Sequence, residues 1–134
     1  MGDWRLDLIR RSYEAFGGSD REGILDLYDP ECDWDMGEFS GALGQDYHGH
    51  GGLLRVNDTL KDVFSDWAPV LKEVRLRPDG AVLVRGAARG TSEHFGEMVQ
   101  PDFGQVIHFR GRRILRVVQT VFPPEGWEDA EPLR

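Results

Sequence analysis

The chain is poor in the features that would place it quickly. It has a single cysteine, Cys32, so no internal disulfide can form, and this scarcity fits a reducing compartment. No apolar run approaches the roughly 18 residues that a membrane helix needs. The opening Met1-Gly2-Asp3-Trp4-Arg5 lacks the apolar stretch of a signal peptide, and Leu6 stands where a myristoylation start carries Ser or Thr. These features point to a cytoplasmic protein. Positive charge is also short: 16 Lys and Arg against 24 Asp and Glu leave a formal net charge of −8. That balance argues against nucleic acid or an anionic membrane surface as the main partner. There is no Gly-x-Ser-x-Gly, Walker-type or dinucleotide fingerprint, and Cys32 has no His or Arg nearby in sequence to activate it. With no repeat, low-complexity stretch or linker, residues 1–134 read as one domain, with a core of about 5–122 and an irregular, exposed tail at 123–134.

What is present is periodicity. Leu6, Ile9, Tyr13 and Phe16 recur in steps of three and four and predict a helix over 4–16, stopped by Gly17-Gly18. Ser19 and Glu22 form a capping box for a second, short helix carrying Ile24, Leu25, Leu27 and Tyr28. A short strand at 32–36 and a glycine-rich loop at 37–52 follow, and Leu53, Val56, Leu60, Val63, Phe64 and Trp67 predict a third helix over 53–67. Strands are expected at 70–77, 81–91, 97–110 and 113–122. Helices gathered before a run of antiparallel strands imply an α+β layer fold. Its expected form is a long curved sheet with three helices from the N-terminal half packed on its concave face, leaving a conical cavity.

The last two strands carry the best functional clue. One face of the first holds Phe103, Gln105, Ile107 and Phe109; one face of the second holds Leu115, Val117, Gln119 and Val121. Each apolar face thus contains one amide, and an unpaired buried amide costs about 1–3 kcal/mol. Two such amides suggest a polar spot inside an apolar cavity.

The segments Leu-Tyr-Asp-Pro-Glu-Cys-Asp-Trp-Asp-Met at 27–36 and Tyr-His-Gly-His-Gly-Gly-Leu at 47–53, with the closing hairpin, resemble the SnoaL-like branch of the nuclear-transport-factor-2-like superfamily. That branch is named after polyketide cyclases and includes relatives of ketosteroid isomerase. The resemblance implies a cystatin-like cone, no cofactor or metal, and a homodimer paired through the outer face of the sheet, where Val106 and Thr120 are compatible. It also gives the amides a context. Gln105 falls where the isomerases place the protonated aspartic acid of their oxyanion hole, an enzyme that serves as a standard example of pKa tuning. Gln119 falls where SnoaL-type cyclases carry an acid/base aspartate. Both carboxyls are amides here, able to donate a hydrogen bond and unable to take a proton.

A base would then come from elsewhere. Asp35, within one residue of the isomerase proton-shuttling aspartate, is the candidate, with Trp34 beside it to desolvate it. Strand alternation gives the competing reading: if Trp34 and Met36 face inward, Asp35 faces out. Tyr13 is placed one residue from the isomerase oxyanion tyrosine and completes the catalytic set with Asp35 and Gln105. Gln119, Trp34, Tyr28, Trp67, Phe103 and His50 are the expected substrate-binding residues, although aromatics are also ordinary core material. His48 and His50, beside Asp46, have a spacing that with Asp33, Asp35 or Glu38 could make a metal site, but they sit among loop glycines, and His94 falls in a surface turn. Two functions follow for a small, largely apolar, carbonyl-bearing ligand. One is cofactor-free proton-transfer catalysis (isomerisation, cyclisation or dehydration); the other is binding without chemistry.

Overall fold

A computed structural model describes residues 3–18, 20–36, 46–92 and 96–134. Within them the chain forms α1 (Trp4–Gly17), α2 (Arg21–Leu27), β1 (Tyr28–Asp35), β2 (Tyr47–His48), α3 (Gly49–Val63), β3 (Ala68–Leu76), β4 (Val82–Ser92), β5 (Gly96–Arg110), β6 (Arg113–Val121) and β7 (Glu131–Pro132). Most of the glycine-rich loop, Glu38 included, and the turn with His94 lie outside the described residues.

Asp3 caps α1 by accepting from Arg5 N at 2.8 Å, and Gly18 closes it. The cap of α2 is Asp20, whose carboxylate accepts from Gly23 N at 3.0 Å. The expected cap, Ser19, lies outside the described residues. The third helix is shifted from its expected span. It starts at Gly49 inside the glycine segment, and the backbone becomes extended at Phe64. Gly52 lets this first turn lie against Tyr47, where a Cβ would come within 3.2 Å. Trp67 therefore follows the helix instead of riding on it, held through its carbonyl by Lys61 Nζ at 2.8 Å.

The sheet order is β2-β1-β6-β5-β4-β3-β7, antiparallel except where β1 runs parallel to β6. Inward residues Val82, Val84, Ile107, Ile114 and Val117 pack with Leu6, Ile9, Phe16, Ile24 and Leu53 from the helices. Arg110 pairs with Arg113, leaving Gly111-Arg112 as a two-residue turn, with Gly111 at φ 60. The ladder then slips: Phe109 faces Ile114, but His108 faces Arg116. Leu115 is the extra residue of a bulge. Ile114 takes the core position expected of Leu115 and is 1% exposed. At the other end of β6, Val121, expected inward, is exposed where the chain leaves to cross the opposite face.

The tail is neither irregular throughout nor wholly exposed. Trp127 and Ala130 are buried on outward-facing Leu83, with Val106 and Phe122 packed against them. Arg75 lies over the Trp127 ring at 4.3 Å and donates to its carbonyl at 2.8 Å. Glu131–Pro132 then adds to the edge of β3. The apolar content of the outer face explains this, since Leu83 and Val106 need cover. Val106, expected on a face open for pairing, is partly covered by the protein's own tail. Trp127→Ala is expected to destabilise the fold by about 3–5 kcal/mol in urea unfolding; a loss below about 1 kcal/mol would show the tail to be dispensable.

Asp29, buried at the start of β1, accepts from Arg110 at 2.6 and 2.9 Å and from Glu31 N at 2.8 Å. The Arg110 bonds hold its carboxyl down at about 2. A depressed carboxyl stabilises the fold above its unfolded value, near ~4, and loses that contribution as pH falls toward the folded value. Asp29→Asn should therefore flatten the fall of the urea midpoint between about pH 4 and 2. A variant with the same acid profile as the parent would rule the pair out as a source of that dependence.

Candidate functional site

The bulge at Leu115 decides the geometry of the interior. Because side chains alternate with period two, a single extra residue moves every later side chain of β6 to the other face relative to β5. With the bulge, Gln105 stands directly opposite Gln119. Gln105 Nε2 donates to Gln119 Oε1 at 2.8 Å, and both residues are buried. Tyr13, on the inner face of α1, donates its hydroxyl to Gln105 Oε1 at 2.8 Å. Gly86 makes the approach possible: a Cβ there would sit 2.7 Å from Tyr13 Oη and 2.7 Å from Phe103 Cε1. Three residues separated by up to 106 positions thus form one chain of hydrogen bonds, buried at its Gln105–Gln119 link.

The chain of bonds has a direction. Burial, with Tyr28 adding to it, pushes the Tyr13 hydroxyl well above the ordinary tyrosine range, so it keeps its proton. That proton needs an acceptor, and Gln105 Oε1 supplies it. Gln105 then donates through Nε2, and Gln119 accepts through Oε1. Flipping both amides would leave the Tyr13 proton without an acceptor, at a cost of about 1–3 kcal/mol. The relay therefore ends on the Gln119 NH₂ group, a donor that makes no hydrogen bond among the described residues.

Trp34 shares this inward face. It aligns with Val117 on the neighbouring strand and packs against Phe16 at 5.6 Å and Tyr28 at 6.3 Å between ring centroids. The Tyr28 hydroxyl is engaged by Ser12 at 2.9 Å, a buried partner that sequence reading missed. Burial pushes the Tyr28 hydroxyl above its ordinary range as well. Phe103 is buried against Gly86. Two expected binders are taken up elsewhere. His50 Nε2 lies 3.0 Å from Tyr28 O and ties the start of α3 to β1, and Trp67 packs on the main core.

Asp35 is not brought to this group. It aligns with Val118, whose neighbours Val117 and Gln119 face inward, and its carboxylate accepts from Arg116 on the outer face at 3.2 Å. The alternation that turns Trp34 and Met36 into the core turns Asp35 out, so the expected base is separated from the amides by the thickness of the sheet. The histidine pair is also split: His48 Nδ1 is 2.6 Å from Asp33 Oδ1 on the outer face, whereas His50 serves the helix. Asn57 was missed. It is 2% exposed on the packed face of α3, and its signal was the one that marked the glutamines: a polar residue on an apolar stripe, between Leu53 and Leu60.

A curved sheet wrapped around helices, with a polar spot between them, defines the nuclear-transport-factor-2-like, or cystatin-like, class. Within it, the model of the SnoaL-like domain family matches residues 9–117, and the chain belongs to that family. TerC, crystallised with polyporic acid, is 24% identical with a TM-score of 0.76, covering 89% of this chain and 92% of its own. An NTF2-like protein of unknown function from Burkholderia pseudomallei is 21% identical, TM-score 0.76, with 89% and 91% covered. A protein of ketosteroid isomerase-like fold from Catenulispora acidiphila, bound to trimethylamine, is 11% identical, TM-score 0.71, with 89% and 92% covered. At these identities the likeness establishes the fold. No curated protein matches the sequence.

If the relay is one unit, its members are not independent. Tyr13→Phe removes the donor to Gln105 and should destabilise by about 1–3 kcal/mol. Gln105→Leu should cost a similar amount by orphaning Tyr13 and Gln119, and the double variant should cost clearly less than both combined. Additive costs in urea unfolding would break the relay into unrelated contacts.

Proposed function

We propose that this chain is a small-molecule-binding protein whose cone holds a largely apolar ligand by one acceptor oxygen, a carbonyl by preference, hydrogen-bonded to Gln119 Nε2. The observation that carries this reading is the directed relay Tyr13–Gln105–Gln119, which ends on a free donor. All three groups are neutral, and none can take up a proton near neutrality. Asp35, the carboxylate that sequence reading assigned to proton transfer, is paired with Arg116 on the other face. Recognition without proton transfer is therefore the function best supported. A relative of the same fold was crystallised with polyporic acid and another with trimethylamine, which supports ligand binding as the use of this cone.

An enolisable bicyclic ketone, 1-tetralone, is a suitable probe. Titration calorimetry should detect binding, and Gln119→Leu should weaken it by about tenfold, the worth of one good hydrogen bond. In D₂O the protein should leave the rate of α-proton exchange of the ketone unchanged by NMR. Accelerated exchange that is lost in Asp35→Asn would replace this reading with the catalytic one.

A further inference from the structure

Two buried polar atoms of the described residues have no hydrogen-bond partner: Trp34 Nε1, a donor, and Asn57 Oδ1, an acceptor. Native interiors rarely leave such groups alone, and each instance calls for a physical reason. Neither is explained by local structure. Asn57 lies mid-helix on α3, where its side chain caps nothing, and leucine there would extend the apolar face of Leu53, Val56 and Leu60 without an orphaned acceptor.

The two residues belong to one region. Trp34 of β1 and Leu60 of α3 both pack against the cluster of Met36, Tyr47 and Val56. Asn57 follows Val56 and lies one helical turn beyond Leu53, on the buried face of α3, a helix that packs against β1. Trp34 also shares the inward face with Gln119 on the adjoining strand, one step further along the ladder.

We propose that Trp34 Nε1 and Asn57 Oδ1 form a second recognition point, reading a hydroxyl group on the ligand. A hydroxyl is at once a donor and an acceptor. Asn57 Oδ1 accepts its proton and Trp34 Nε1 donates to its lone pair. Gln119 Nε2 holds the carbonyl oxygen, so the inference rests on the binding reading above and narrows it. The ligand class becomes a flat, apolar hydroxy-ketone or phenolic ketone, its two oxygens separated by the ring system.

The test compares 1-tetralone with 6-hydroxy-1-tetralone by titration calorimetry, on the parent, Asn57→Leu and Trp34→Phe. The parent should bind the hydroxylated ketone about tenfold more tightly or better. Each variant should bring that ratio to within about twofold, and Asn57→Leu should do so by weakening only the hydroxylated probe. Asn57→Leu should also melt at the same temperature as the parent or higher, since it removes an unsatisfied buried acceptor. A lower melting temperature would mark Asn57 as structural and overturn the proposal. So would equal affinities in the parent, or a variant that weakens both ketones alike. Failure of the parent to bind either ketone would remove the binding reading itself, and this inference with it.

Discussion

One extra residue in one strand sets the interior of this protein. Without Leu115 in its bulge, the two-residue turn at Gly111-Arg112 would place Gln105 opposite Val118, and the two amides would face opposite sides of the sheet. With it, Ile114 drops into the core and Gln119 meets Gln105. Two further features depend on that register. Tyr13 has an acceptor only because Gln105 is turned by its partner, and Gly86 is tolerated in a strand because the Tyr13 hydroxyl and the Phe103 ring fill the space a side chain would take. Turn, bulge, glycine and tyrosine therefore form one arrangement, and losing any of them leaves a buried polar group unpaired.

The two faces of the sheet divide the electrostatics. Several carboxylates of the sheet find their partners on its outer face or at the hairpin tip: Asp35 with Arg116, Asp33 with His48, Asp102 with Lys72 and Arg85, Asp29 with Arg110. In most of these water remains available to screen both partners, and each pair contributes little to stability. The inner face carries hydroxyl, amide and indole groups, which enter a low-dielectric interior at far smaller cost than ions. An interior of this kind suits the neutral ligand proposed above, matched donor to acceptor, with a strength that depends on excluding water from a few bonds.

Much of this was legible in the sequence, because the signals concerned are local. Alternation located β4, β5 and β6 to within a residue or so at most ends, and it identified Gln105 and Gln119 as inward amides. The helical period of α1 placed Tyr13 correctly. What escaped was set by tertiary contact. Leu115 looks like any apolar strand residue, and only the match between a tight turn and the partner strand makes it the bulge. Glycines 49, 51 and 52 read as loop by propensity, yet Gly52 is needed in the helix to clear Tyr47. The tail reads as solvent-exposed from its prolines and acids, while the partner that orders Trp127 is Leu83, more than 40 residues away in sequence. Asp35 was the instructive case: likeness to an enzyme family drew it inward, and the plain two-residue period of β1 turned it out.

Replacing carboxyls by amides changes more than proton transfer. Two carboxyls at positions 105 and 119 would stand directly opposed, and like charges at that distance cannot both ionise; the pair would share a proton and titrate as a unit. The interior would then change charge with pH, which would disfavour the neutral ligand proposed above in the ionised form. Two glutamines satisfy each other in a single protonation state, and Tyr13, its hydroxyl pushed up by burial, fixes which way they point. The result is a donor at Gln119 whose orientation is set by the protein alone. Preorganisation of that kind lowers the entropic cost of binding, and it is a property that a recognition site uses at every pH at which the fold persists.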